Sequence, residues 1–161
     1  LPRIPLVRDF RAFVTAGRAL SDLHVNYEHA APYPLTGLDV APLSDADAFD
    51  FYAVEKTKFG GKGKQKDKST IIYNRNITLS NVPEDAYRYM LGSRSAVEWL
   101  MDRYQVKVDR ASQIKNDPND WSREVNDPRY ILDLFARIVT VSLETMKIVD
   151  ALPSLDIIET D

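Results

Sequence analysis

Apolar and polar positions alternate along this chain with two different periods, and the change of period divides it. From Asp9 onward, Phe10, Phe13, Val14, Gly17, Leu20, Leu23 and Tyr27 make one continuous stripe at helical spacing, which predicts an amphipathic helix. Gly17 sits inside that stripe and reads as the site of a close helix crossing. Residues 30–50 break the pattern with three prolines and the acidic run Asp45-Ala46-Asp47, the composition of a loop laid over a sheet edge. Phe51–Phe59 and Lys68–Leu79 then read as strands, with Ile71, Tyr73 and Ile77 alternating with polar residues. The segment from Gly60 to Asp67 reads as a flexible, glycine-rich loop between them. Asn74-Arg75-Asn76 has the composition of a tight turn and splits the second strand, giving a small antiparallel sheet of about three strands.

The helical period returns after Pro83, which opens a short helix carrying Tyr87, Met90 and Leu91 and stopped by Gly92. Ser95 followed by Glu98 is the pattern of a capping box. Behind it Val97, Leu100, Met101 and Tyr104 fall on one face. An Asn/Asp-rich connector, Asn116-Asp117-Pro118-Asn119-Asp120, favours turns because its side chains bond their own backbone. Asp127 and Pro128 suit the N-cap and first position of the last helix. There Tyr130, Ile131, Leu134, Ile138, Val141, Ile148 and Leu152 keep helical spacing until Pro153. At 1.5 Å per residue that run spans roughly 35 Å, the spine of a small domain. Helix, small sheet, then helices is an α+β order, with the helices gathered on one side of the antiparallel sheet.

The segments Val97-Glu98-Trp99-Leu100-Met101-Asp102-Arg103-Tyr104-Gln105-Val106, Ile114-Lys115-Asn116-Asp117-Pro118-Asn119-Asp120-Trp121 and Asp127-Pro128-Arg129-Tyr130-Ile131 closely resemble the C-terminal end of Type ISP restriction-modification enzymes. Arg3-Ile4-Pro5 and Lys68-Ser69-Thr70-Ile71-Ile72-Tyr73-Asn74 share the resemblance, which lapses between Leu38 and Asp50. Members of that family are long single polypeptides joining a nuclease, an ATP-driven translocase, an adenine-N6 methyltransferase and a target-recognition region. The resemblance implies a non-catalytic specificity domain that positions duplex DNA, with AdoMet, ATP and Mg serving other parts of the polypeptide and no cofactor here. It also implies a cytoplasmic setting and contact with upstream methyltransferase and recognition segments. The first residue is Leu1, which together with the resemblance leads to the expectation that residues 1–161 are one domain of a longer polypeptide, monomeric when isolated.

Charge sharpens the expectation of DNA binding. The 161 residues carry a net charge of −3, yet residues 55–68 hold Lys56, Lys58, Lys62, Lys64, Lys66 and Lys68 against Glu55 and Asp67. A local basic patch on an acidic body directs a polyanion to one face; the plainer reading is a solvated hairpin rich in lysine. These six lysines are the candidate phosphate contacts. Tyr73, Asn74, Arg75 and Asn76 are the candidates for base contact, since asparagine pairs bidentately with adenine in the major groove. The competing reading is a scaffold module whose apolar helices dock on a neighbouring methyltransferase domain without touching DNA.

Other chemistries are excluded by residue type or spacing. There is no cysteine, hence no disulfide, thiolate zinc site or cysteine nucleophile. His24 and His29 are five residues apart and do not share a helix face as metal ligands would. Gly63-Lys64 is followed by Gln65 rather than serine or threonine, so Gly60–Lys64 is not a phosphate loop. Asp117-Pro118-Asn119-Asp120 lacks the second proline and aromatic of the Asp-Pro-Pro-Tyr tetrapeptide of amino-methyltransferases. Asp45, Asp47 and Asp50 lack the spacing of a calcium loop. Among the aromatics, Tyr87, Tyr89, Trp99, Tyr104 and Trp121 sit beside aliphatic residues, where packing rather than base stacking is the ordinary role.

Overall fold

The computed structural model describes residues 6–63 and 65–158. In chain order these form β1 (Leu6–Val7), α1 (Phe10–Val25), α2 (Ala48–Tyr52), β2 (Lys58–Lys62), β3 (Gln65–Ile72), β4 (Thr78–Leu79), β5 (Met90–Leu91), β6 (Arg94–Ser95), α3 (Ala96–Arg103), β7 (Lys107–Val108), β8 (Lys115–Asn116), α4 (Asn119–Glu124), α5 (Tyr130–Asp150) and β9 (Ile157–Ile158). The architecture is α+β. Strands β2, β3 and β4 make the expected antiparallel three-stranded sheet, and the long C-terminal helix α5 is the spine against which α1 and α3 pack.

The core lies between that sheet and α5. Ile131 and Leu134 turn inward from α5, as their spacing predicts, and share one core with Ile71, Tyr73, Ile77 and Leu79. Phe135 and Val139, outside the expected stripe, join them, while Val141 is buried beside the cavity lined by His24 and Tyr27. Tyr73 and Phe135 pack edge-to-face with centroids 5.6 Å apart, the favoured geometry for two aromatic quadrupoles. The start of α3 is fixed as its residues dictate. Ser95 Oγ accepts from the Glu98 N–H at 3.2 Å, while Glu98 Oε2 accepts from the Ser95 N–H at 3.0 Å. This satisfies two of the N–H groups that a helix start leaves without partners. The last helix starts later than expected: its N-cap is Arg129, with no side-chain cap, and not Asp127, whose Oδ1 instead accepts from the Arg129 N–H in the turn before the helix.

Several segments depart from the sequence reading. Residues 51–59 are not one strand: Ala48, Phe51 and Tyr52, spaced i, i+3 and i+4, pack against the core as the short helix α2. Residues 53–57 belong to no regular element, and there Val54 is bound on both its N–H and C=O by the Asn119 side chain at 2.8 and 2.9 Å. Residues 60–62 and 65–67 are not a loose loop but the paired ends of β2 and β3. Met90 and Leu91 belong to a hairpin turning at Gly92 (φ 72°), rather than to the end of a helix. The Asn116–Asp120 connector runs from the end of β8, the second strand of the β7–β8 hairpin, into the start of α4. The 30–50 loop does cover a sheet edge, through a Thr36–Ser80 bridge beside β4. Gly17 marks no close crossing: a side chain there would meet nothing, and α1 contains no buried residue. Strand β1 pairs with β9, closing the fold at its two ends.

Candidate nucleic-acid interface

The basic stretch is a β-ribbon. Register runs Lys58↔Ile72, Phe59↔Ile71, then jumps to Gly60↔Asp67, Gly61↔Lys66 and Lys62↔Gln65. The jump leaves Lys68, Ser69 and Thr70 as an outward bulge in β3, and Asp67 organises it. Its Oδ1 accepts from the Ser69 N–H and hydroxyl at 2.9 and 2.6 Å, and its Oδ2 from Thr70 at 2.8 Å. Those hydrogen bonds hold the Asp67 carboxyl below its ordinary pKa, so it remains ionised near neutrality. Gly61 has φ 92° and lies against the Gln65 carbonyl, where no side chain fits. A bulge increases local twist, and here it separates a packed half of the hairpin from a free, cationic half.

Lys56, Lys58, Lys62 and Lys66 are exposed, and among the described residues no carboxylate oxygen lies within 4.0 Å of their amines. Elsewhere the cations are mostly paired: Arg88 with Asp150, Arg94 and Lys107 with Asp102, Lys115 with Asp117, and Arg129 with Asp133. Lys68 differs from its neighbours in the ribbon. Its amine donates to Glu98 at 2.8 Å and lies 5.1 Å from the Tyr87 ring centroid, which ties the ribbon's base to the start of α3. Lys64 falls outside the described residues. A groove of about 620 Å³ runs between the ribbon and α3, with Lys56, Lys58 and Lys66 on one wall and Arg94, Glu98 and Asp102 on the other.

The 73–76 turn divides sharply. Tyr73 is 0% exposed and its hydroxyl donates to the Tyr52 carbonyl at 2.8 Å. Asn74 is 6% exposed; its amide donates to the Phe51 and Ala53 carbonyls and its oxygen accepts from the N–H groups of Asn76 and Ile77. Both are removed from the set of base contacts, because neither offers a free polar edge at the surface. Arg75 and Asn76 are exposed. Arg75 lies 3.9 Å from Glu55 and the Asn76 amide reaches the Phe51 carbonyl at 3.3 Å, both weak restraints.

The model of the Type ISP C-terminal specificity domain matches residues 1–134. This chain belongs to that family. Three DNA-bound structures are similar to it. A nuclease-deletion mutant of the Type ISP restriction-modification enzyme LlaGI, in complex with a DNA substrate mimic, is 41% identical with a TM-score of 0.81, over 98% of this chain and 12% of that one. The ATP-dependent Type ISP enzyme LlaBIII, bound to DNA, is 39% identical with a TM-score of 0.79, over 98% and 10%. A DrdV–DNA complex is 29% identical with a TM-score of 0.69, over 97% and 15%. The specificity domain thus spans only a small fraction of each relative's length. No curated protein matches it.

The aromatics of this specificity domain are mostly engaged in packing. Tyr87 meets Phe59 edge-on and its hydroxyl donates to the Lys68 carbonyl at 2.6 Å. Tyr89 stacks on His24, whose Nε2 meets the Thr145 hydroxyl at 2.8 Å. Trp99 donates to the Leu91 carbonyl and is flanked by the guanidiniums of Arg94 and Arg103. Tyr104 lines a cavity of about 300 Å³ with Trp99 and Ile138. Trp121 is 47% exposed and edge-on to Tyr130. Sequence reasoning missed Arg94 on the far wall of the basic groove. Its only local sign is its place beside the β5–β6 turn, and its approach to the ribbon is tertiary. No described helix is long and apolar enough to cross a membrane, and no described cluster of His, Cys, Asp or Glu could hold a metal ion.

Proposed function

We propose that this chain is a DNA target-recognition domain that holds duplex DNA by its β2–β3 ribbon for a single-chain Type ISP restriction-modification enzyme. The observation that carries the reading is the ribbon itself: Lys58, Lys62 and Lys66 on it and Lys56 just before it are exposed and without acidic partners, in a domain whose other cations are mostly paired. Lys56, Lys58, Lys62 and Lys66, with Lys64, contact phosphates; Arg75 and Asn76 stand at the other end of the sheet as secondary contacts. Phosphate contacts fix register and orientation without reading sequence. Methylation, ATP-driven translocation and cleavage, with their AdoMet, ATP and Mg, belong to other segments of the polypeptide, against which this domain docks. The domain is non-catalytic, monomeric when isolated and cytoplasmic.

A salt titration tests this. Replacing Lys58, Lys62 and Lys66 together by alanine should weaken binding of the full polypeptide to all duplexes alike. It should also flatten the log–log salt dependence by roughly 2.7 units, at about 0.9 for each phosphate no longer neutralised. An unchanged slope would turn the ribbon toward solvent or a neighbouring domain and leave the scaffold reading in its place.

A further inference from the structure

Resting on that DNA-holding reading, we infer that Gln65 is a specificity-determining residue, reading an adenine edge in the major groove from the tip of the β2–β3 ribbon. With Asn74 buried, base recognition requires a different amide. Asn26, Asn81, Asn119, Gln105 and Gln113 all hydrogen-bond within the fold, and the Asn76 amide is turned to the Phe51 carbonyl at the far end of the sheet. Asn116 lines a cleft beside Trp121 and Tyr130, and Asn126 sits in a positive-φ turn before α5; neither is on the basic ribbon. Gln65 is exposed, is the first residue of β3 and faces Lys62 across the last paired position before the turn. No hydrogen bond within the described residues engages its side chain.

The ribbon is shaped for the task. Beyond the bulge it carries three paired positions, a reach of about 10 Å at roughly 3.4 Å per residue. The major groove is about 8.5 Å deep and about 12 Å wide, and it admits a two-stranded ribbon. Gly60, Gly61 and Gly63 leave Lys62 as the only side chain at the tip of β2, so that strand is slim. Ionised Asp67, opposite Gly60, repels phosphate at the base of the tip and leaves Lys62 and Lys66 to take phosphates on either side of Gln65. The Gln65 amide would then donate to adenine N7 and accept from N6, the bidentate pairing that glutamine makes with adenine.

The test is a binding selection from a randomised duplex pool with the full polypeptide, unaltered and as Gln65→Ala, followed by affinity measurements on the selected consensus. Gln65→Ala should relax one A·T pair of the consensus and leave the rest intact. It should lower consensus affinity about 5- to 150-fold and leave affinity for scrambled duplex and the salt slope unchanged. Substituting 7-deazaadenine at the relaxed pair should weaken the unaltered protein but not Gln65→Ala, because the missing acceptor matters only if the amide uses it. Melting of the variant by circular dichroism verifies folding, which an exposed tip residue leaves intact. An unchanged consensus for Gln65→Ala, beside a flattened slope for the triple lysine variant, overturns the inference and keeps the DNA-holding reading. Equal loss on all duplexes makes Gln65 a backbone contact and also overturns it. An unchanged slope in the lysine variant removes the underlying reading as well.

Discussion

Replacing Asn74 by alanine separates a structural asparagine from a DNA-reading one. Its amide donates to the Phe51 and Ala53 carbonyls at 2.9 Å each, and its oxygen accepts from Asn76 and Ile77 at 2.8 Å each. One side chain thus closes the turn between β3 and β4 and ties it to the end of α2. A net contribution of about 1 kcal/mol per bond gives an upper figure of about 4 kcal/mol. Phe51 and Asn76 lie near enough to solvent for water to replace part of their bonding, whereas Ile77 is 1% exposed and its N–H is left without a partner. The expected cost is therefore about 2–4 kcal/mol, a fall in melting temperature of about 4–16 °C for a domain of this size. Thermal unfolding followed by circular dichroism, beside Asn76→Ala as a control within about 0.5 kcal/mol, makes the comparison. An Asn74→Ala protein that melts like the parent but loses cognate DNA would refute the reasoning and return Asn74 to the interface.

Two further outcomes test the core and the helix start. Leu134→Ala should cost about 2–5 kcal/mol, the usual loss for a large-to-small change at a buried site. Ile138→Ala, half-buried at the rim of the cavity beside Trp99, should cost nearer about 1 kcal/mol; equal melting shifts would mean that α5 is rotated. Glu98 is pulled in two directions: burial raises its pKa, but hydrogen bonds from Lys68 and Ser95 outweigh that and hold it below the ordinary 4.5. A carboxyl depressed in the folded state stabilises the fold above its unfolded pKa and loses that contribution as pH falls through the folded value. Melting temperature should therefore drop below about pH 4.5 more steeply in the parent than in Glu98→Gln, and parallel curves would dismiss the capping carboxylate as a contributor.

The α5 stripe, the capping box and the Asn74–Asn76 turn are legible in the sequence because each depends on residues within one or two turns of one another. What is not legible depends on distance in the chain. The Asn74 side chain finds its partners 21 and 23 residues upstream, so its composition reads as an ordinary surface turn. Residues 60–67 carry glycine, lysine and glutamine, with no apolar alternation to betray a strand. Residues 60–62 and 65–67 pair because Phe59 and Ile71 set the register behind them and Gly61 permits the backbone to bend. The aromatic preference for strands misplaces residues 51 and 52, whose spacing from Ala48 puts them on a helix instead. Charge alone groups the lysines of the ribbon. Which amide stands free among them is visible only once the hydrogen bonds of the others are known.

The shallow seating of α1 has a consequence for the order in which this fold is made. Alone, a helix of 16 residues is marginal in water, and the partner of α1 is α5, more than a hundred positions later in the sequence. During synthesis from the N-terminus, at about 5–20 residues per second, α1 emerges well before anything exists for it to rest on. Its apolar stripe remains unsheltered until Tyr130–Asp150 has been made, so α1 is made well before the helix that gives it a place to rest. The sheet and α3 meet the same delay, because their inward faces also close onto α5. Assembly therefore waits on the final helix, and a chain halted before residue 130 would present most of its future interior to solvent and to the chaperones that patrol it.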